Sequence, residues 1–81
     1  MDEASKSAMM LVRMYIILSR AKVLRPGITE FIKMCSDAGV EPSRLIGYID
    51  IGPGGVVLVN SNGEEFLRRI KELIELGGGR V

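Results

Sequence analysis

The segment "SDAGVEPSRLIGYID", residues 36–50, decides the fold because it allows two interpretations. In the first, Gly39 forms a tight turn and Pro42 begins a short helix that runs to about Ile49. In the second, the letters "IGYIDI" form a strand that leads into the turn "GPGG". The first interpretation predicts a helix-turn-helix, and the second predicts a small α/β module.

The spacing of apolar residues in this segment favours the helical interpretation. A helix over residues 42–49 would turn Val40, Leu45 and Tyr48 inward together. A helix-turn-helix also has a small residue in its first helix, which Cys35 supplies, and a glycine at the corner. The segment therefore predicts a third helix. An experimental structure in which residues 45–51 form a strand paired over its whole length with residues 55–60 would contradict it.

Two amphipathic helices are predicted before this segment. The first begins near Ser5 or Ser7 and ends at about Lys22, and Thr29 caps a second helix that runs to Ala38. The stripes predicted to be buried are Met10, Met14, Ile17, Leu18 and Ala21 in the first helix, and Ile28, Phe31, Ile32, Cys35 and Ala38 in the second.

The segment is followed by a turn, a strand and a last helix. "GPGG" predicts a type II turn, with Pro53 at its second position and Gly54 at the third, which requires a positive φ. No Lys-Ser or Lys-Thr pair follows, so this glycine-rich stretch is not a P-loop. "VVLVN" is typical of a strand. Ser61 and Glu64 then have the spacing of a capping box, and Gly77 ends the helix that begins there.

Composition narrows the possible chemistry. The 81 residues suffice for one domain, and a net charge of +1 excludes a polybasic protein. The chain has no histidine and a single cysteine, which excludes zinc sites built on those residues and any triad with a histidine base. We therefore expect no catalytic residues, no metal and no cofactor. The scarcity of thermolabile residues is typical of a thermophile protein.

The N-terminal apolar run is too short for a membrane anchor. It extends over eleven residues, from Ala8 to Leu18, and includes Arg13, whereas a spanning helix needs about 20 residues. Asp2 and Glu3 precede it, so the positive region of a signal peptide is missing. The expected location is the cytoplasm, without contact to a membrane.

The first helix carries more apolar surface than one core requires. Beyond its predicted buried stripe, apolar residues spread onto the neighbouring faces. This excess predicts a homodimer whose interface includes Met10, Leu11, Met14 and Ile17. The alternative is that the helix is central and that its own domain covers it.

The order of these elements resembles a known superfamily. The stretch "ITEFIKMCSDAGVEPSRLIGYI" meets the requirements of a helix-turn-helix, "IDIGPGGVVLVN" is similar to a β-wing, and "GGVVLVNSNGEEFLRRIKELIEL" looks like a wing strand followed by an amphipathic helix. Over residues 8–76 the chain resembles winged helix-turn-helix proteins, in particular small archaeal DNA-binding proteins of the coiled-coil dimer type. The resemblance implies an α+β fold with three helices, a short β-wing hairpin and a C-terminal helix. It implies one domain over residues 1–81, with 1–4 and 77–81 frayed.

The resemblance also implies a function. It predicts a dimeric regulator or chromatin-type protein that binds double-stranded DNA. The outward positions of the predicted third helix hold few donors for base edges, so phosphate contacts would dominate. The candidate nucleic-acid-binding residues are Arg20, Lys22, Arg25, Lys33, Ser43 and Arg44. The alternative is a winged-helix module for protein–protein contacts that docks through the first helix or through Ile46 and Gly47.

Overall fold

The structure, a computed structural model, describes residues 3–78 and the side chains of residues 5–77. The fold is α+β, with three α-helices and one antiparallel hairpin in this part of the chain. The elements are α1 (Glu3–Leu24), α2 (Ile28–Ala38), two 3-10 turns (Pro42–Arg44 and Ile46–Tyr48), β1 (Ile49–Ile51), β2 (Val57–Val59) and α3 (Ser61–Gly78).

The segment with two interpretations, residues 36–50, contains both helical turns and the start of a strand. Its backbone forms the two 3-10 turns and becomes a strand at Ile49, so the single helix predicted over residues 42–49 is not formed. The carbonyl of Tyr48 explains the change, because it accepts a hydrogen bond from the backbone N–H of Asn60 at 3.0 Å. When the carbonyl of a residue is hydrogen-bonded across to another segment in this way, its backbone continues as a strand of a sheet rather than as a helix. Val40 and Leu45 are buried as predicted.

The hairpin has the predicted turn. Ile49 pairs with Val59, and Ile51 pairs with Val57. At the tip, Gly54 has φ 79° and ψ 7°, and the N–H of Gly55 donates to the carbonyl of Gly52 at 3.1 Å. These angles match the third position of a type II turn.

The chain between α1 and α2 joins the hairpin. Gly27 forms an antiparallel bridge with Val56, and the N–H of Val57 donates to the carbonyl of Pro26 at 2.7 Å. Arg25 leaves α1 with a positive φ of 48°, which turns the chain toward this contact. The three helices and the antiparallel hairpin are together compatible with a winged-helix arrangement.

The core is built around one face of α1. Its buried residues are Met14, Ile17, Leu18, Ala21, Phe31, Cys35, Val40, Leu45, Val57, Leu67 and Ile70. The stripe predicted for α1 is thus confirmed, apart from a half-buried Met10. In α2 the prediction is wrong for Ile28 and Ile32, which are exposed, because Phe31 and Cys35, one turn apart, supply the contact with the core.

Asn60, rather than Ser61, caps α3. The side-chain oxygen of Asn60 accepts a hydrogen bond from the N–H of Gly63 at 2.9 Å, and its amide donates to the carbonyl of Gly47 at 3.3 Å. The same residue thus caps the helix and ties it to the second 3-10 turn. Gly63 is buried at this contact, and a Cβ on it would overlap the Tyr48 carbonyl oxygen.

Both terminal helices are longer than predicted. α1 begins at Glu3, and α3 continues to Gly78, so residues 3–4 and 77–78 are helical where fraying was predicted. Residues 1–2 and 79–81 lie outside the described part of the chain. Among the helices of residues 3–78, none has the length and apolar character needed to cross a bilayer.

Candidate functional site

A second apolar face of α1 is open to solvent. It consists of Met9, Val12, Ile16 and Val23, which are 42%, 42%, 44% and 79% exposed. Their spacing of three, four and seven residues places them in one line along the helix. We call these four residues the α1 stripe.

The α1 stripe lies on the side of the helix away from the core. Ile16 is about 160° around the helix axis from the fully buried Leu18. α1 contacts α2, α3 and β2, and Val23 at the end of the stripe borders a depression lined by α3. No element of residues 3–78 covers the stripe, so its apolar surface faces water in the isolated chain.

The stripe has the period of a coiled-coil seam. Met9, Ile16 and Val23 repeat every seven residues, and Val12 and Ser19 occupy the intermediate positions. A seven-residue repeat on a helix surface is the pattern that packs against a second helix. Ser19 is the small residue of this repeat, and it lines a depression between α1 and α3 together with Val23.

One flank of the stripe is a row of cations. Lys6, Arg13 and Arg20 are exposed and spaced seven residues apart, which corresponds to about 10.5 Å between successive residues along the axis. Within the described side chains none of the three forms an ion pair. The guanidinium of Arg13 extends toward the corner after α2, where a Cβ on Gly39 would lie 3.6 Å from its Nη1.

The opposite flank differs in charge. It carries Ala8, Tyr15 and Lys22, and the Lys22 ammonium pairs with the Glu64 carboxylate of α3 at 2.8 Å. Available positive charge is therefore concentrated on the flank of Lys6, Arg13 and Arg20, which we call the basic row.

The residues predicted to form a dimer interface lie mostly on the core side of α1. Met14 and Ile17 are 7% and 2% exposed and belong to the core of their own chain, and Met10 is half-buried beside them. Only Leu11 of the four predicted interface residues is exposed. The alternative, a central helix covered by its own domain, describes the face of Met14 and Ile17 correctly. The three-four spacing of Met9, Val12 and Ile16 was visible in the sequence, and the buried stripe predicted for α1 already assigned Met14 and Ile17 to the core.

The candidate nucleic-acid-binding residues are distributed over separate places. Lys22 and Arg25 line one depression beside Glu64, the carboxylate to which Lys22 is bonded. Arg25 and Lys33 line another, which also contains the acidic residues Glu30 and Asp37. The cations nearest each other thus have carboxylates among them.

The other predicted residues lie apart from this group. Arg20 belongs to the basic row, and Ser43 and Arg44 are in the first 3-10 turn. Arg44 lines a groove of about 650 Å³ between that turn and the first half of α1, whose apolar surface comes mainly from methionine, leucine and tyrosine side chains. The exposed tip of the hairpin, residues 53–54, carries no charge. The structure therefore does not gather the predicted cations into one surface.

Burial and ion pairing shift the pKa values of two further side chains, Cys35 and Glu65. Burial raises the pKa of the Cys35 thiol, which keeps it protonated. A hydrogen bond from Arg68, followed by one from Arg69, lowers the pKa of the exposed Glu65 carboxyl. The ion-pair network along α3 consists of Glu65, Arg68, Arg69 and Glu72. Within residues 3–78 no three cysteine or acidic side chains gather where they could hold a metal ion.

Comparison with protein-family models, with curated proteins and with solved structures finds no match. The winged-helix resemblance therefore stays a prediction from the sequence. Function has to be argued from the surface of the molecule itself.

Proposed function

We propose that this chain is a protein-interaction module that binds a helix of its partner along the α1 stripe. The observation that carries the proposal is the line formed by Met9, Val12, Ile16 and Val23, opposite the core and at coiled-coil spacing. Contiguous exposed apolar surface on a small domain marks an interaction site. The nucleic-acid interpretation has no surface of comparable continuity.

The expected strength follows from the size of the stripe. Covering a side chain that is about 40% exposed contributes roughly 1 kcal/mol. The four residues together contribute a few kcal/mol, and part of this is offset by the entropy lost on association. The apolar contact alone therefore supports a weak, reversible complex.

Homodimerisation is one form that such docking can take. The sequence predicts a homodimer with Met14 and Ile17 in its interface. In the form proposed here, the two copies would instead meet through Met9, Val12 and Ile16 of the α1 stripe. An isologous pair of α1 helices would bury the stripe of each copy against the other. Measurement of the mass at rising protein concentration tests this form separately.

The experiment for the general proposal uses a synthetic helix. A fluorescent amphipathic peptide with leucines at three-four spacing and uncharged polar flanks is titrated with the protein, and binding is followed by anisotropy. We expect saturable binding that Ile16→Glu abolishes. Ile46→Glu is the matched control, because Ile46 is equally apolar and even more exposed but lies in the second 3-10 turn.

Two results would contradict the proposal. One is the absence of peptide binding together with a mass that stays monomeric at high concentration. The other is equal loss of binding in the Ile16→Glu and Ile46→Glu variants, which would show that the peptide does not distinguish the stripe from other exposed apolar residues. Circular dichroism of both variants confirms that each is folded.

Nucleic-acid binding is the second candidate function. The three helices and the antiparallel hairpin favour it, because they are compatible with the winged-helix arrangement from which DNA binding was predicted. In this proposal double-stranded DNA is held by phosphate contacts of Arg25, Lys33 and Arg44, with little sequence selectivity. The dispersed cations and the Lys22–Glu64 ion pair make it the weaker of the two proposals.

A further inference from the structure

We infer that the occupant of the α1 stripe is an acidic amphipathic helix of another protein, with apolar residues on the stripe and Asp or Glu side chains along the basic row. The inference rests on the proposed function and adds the chemistry of the partner. It follows from the charge of the flank and from what a second copy of this chain could offer to that flank.

Charge complementarity points to the acidic partner. Lys6, Arg13 and Arg20 repeat at the same seven-residue period as Met9, Ile16 and Val23, so the basic row runs parallel to the apolar side chains along one flank of the stripe. A helix lying along α1 rises by the same distance per residue, and carboxylates at seven-residue spacing would meet the three cations in turn. These are the flanking positions at which coiled coils select their partners by charge.

A second copy of α1 cannot provide those carboxylates. In an antiparallel pair the basic row faces itself, which places Arg13 near Arg13 and Lys6 near Arg20. In a parallel pair the basic row faces the other flank, which offers Ala8, Tyr15 and Lys22. Neither direction brings an acid of α1 opposite the basic row, and the acid nearest the other flank, Glu64 of α3, is already paired with Lys22. Like charges facing each other oppose association.

The seam itself also fits a partner with a different sequence. Ser19 takes the place of a large apolar residue between Ile16 and Val23. In a parallel pair of identical helices Ser19 would face Ser19 and leave that layer poorly filled. A partner with leucine or methionine at this level fills it, because large and small residues pack well against each other.

We expect the basic row to determine which partner helix is preferred more than how tightly a helix binds. Exposed ion pairs contribute a fraction of a kcal/mol to about 1 kcal/mol each, and salt screens them. We therefore expect the acidic-flanked peptide to bind about 10-fold more tightly than an uncharged one at low salt. The difference should nearly vanish at high salt, while the apolar contribution remains.

The test compares three peptides with the same leucine stripe and with Glu, Ser or Lys at the flanking positions. Anisotropy titrations are run at about 50 mM and about 500 mM salt. We expect the order Glu, Ser, Lys at low salt and nearly equal affinities at high salt. An Arg13→Gln, Arg20→Gln double variant should lose the preference for Glu while still binding the Ser peptide. Lys33→Gln, an exposed cation of α2, is the matched control and should keep the preference.

The outcomes separate this inference from the proposed function. Equal affinity for the Glu and Ser peptides at low salt would overturn the inference and leave the docking function intact. No binding of any peptide, with no effect of Ile16→Glu on mass, would overturn both. A dimer that Ile16→Glu dissociates and that excludes the peptides would identify a second copy as the occupant and refute the inference. Displacement of the Glu peptide by duplex DNA, abolished in the Arg13, Arg20 variant, would reassign the basic row to nucleic acid.

Discussion

Ile16 and Leu18 are two residues apart in α1 and lie on opposite sides of the helix, one 44% exposed and the other fully buried. Leu18 is enclosed by the core of the domain, and Ile16 is the centre of the α1 stripe. α1 thus has one apolar face for folding and another that folding leaves uncovered. The two faces can be distinguished by substitution.

The first prediction concerns stability. Leu18→Ala should lower the free energy of unfolding by about 2–5 kcal/mol, because it removes a buried side chain from a packed core. Ile16→Ala should lower it by less than about 1 kcal/mol, because its side chain is partly in water in both states. Urea denaturation of the two variants measures both values. Equal effects would show that Ile16 is covered within the monomer.

A second prediction concerns the start of α3. Gly63→Ala should destabilise the fold strongly, because the new Cβ would overlap the Tyr48 carbonyl oxygen and a Val59 methyl. Gly47→Ala is the control, since no atom lies within 4 Å of the added Cβ. Thermal unfolding should show a Tm lowered by several degrees for the first variant and little changed for the second. A Gly63→Ala protein as stable as the wild type would contradict the close approach of the second 3-10 turn to α3.

The third prediction uses Cys35. Its thiol is buried and its pKa is raised by that burial, so iodoacetamide should label it slowly in the native protein and rapidly in denaturant. Because the thiol pKa is higher in the folded state, the stability that it contributes is complete below the unfolded-state pKa. That contribution is lost as the pH rises through the folded-state value.

An exposed neighbour provides the control for this labelling. A Ser36→Cys, Cys35→Ala double variant carries its only thiol on the exposed side of α2 and should be labelled quickly without denaturant. Fast native labelling of the wild-type protein would mean that this part of the core opens readily.

The sequence predicted most of the fold and less of the surface. The helical period identified the buried face of α1, and the glycine at the third turn position identified the hairpin tip, since both depend on residues close in sequence. The path of residues 42–49 depends instead on the bond between Tyr48 and Asn60, which are twelve positions apart. Local preferences do not determine such a contact.

The sequence alone was also insufficient to identify the candidate site. The spacing of Met9, Val12 and Ile16 and that of Met10, Met14 and Ile17 both predict an apolar helix face. The face of Met10, Met14 and Ile17 is the one that faces the core, because the domain's other elements, α2, β2 and α3, pack against α1 there. Which stripe remains available to a partner is therefore a property of tertiary packing. The predicted interface accordingly included Met14 and Ile17 and omitted Met9 and Val12.

A fourth prediction tests the nucleic-acid function. If the chain binds duplex DNA through phosphates, log K should fall linearly with log salt, with a slope of about −0.9 for each neutralised phosphate and about −3.6 for four. Replacing Arg25 and Arg44 by Ala should weaken random and candidate-promoter duplexes equally and flatten the slope by about one unit for each phosphate that is no longer neutralised. Anisotropy titrations at several salt concentrations measure this. Absence of binding at low salt would exclude DNA as a partner.

A methyl NMR titration of the wild-type protein with the Glu-flanked helical peptide shows most directly whether α1 is the docking helix. We expect the methyl resonances of Val12 and Ile16 to shift with a common saturation curve, while those of Ile46 and Ile51, which are also exposed, remain in place. Shifts at Ile46 and Ile51 without a change at Val12 and Ile16 would show that docking uses the second 3-10 turn and the hairpin, and would contradict the assignment of α1 as the docking helix.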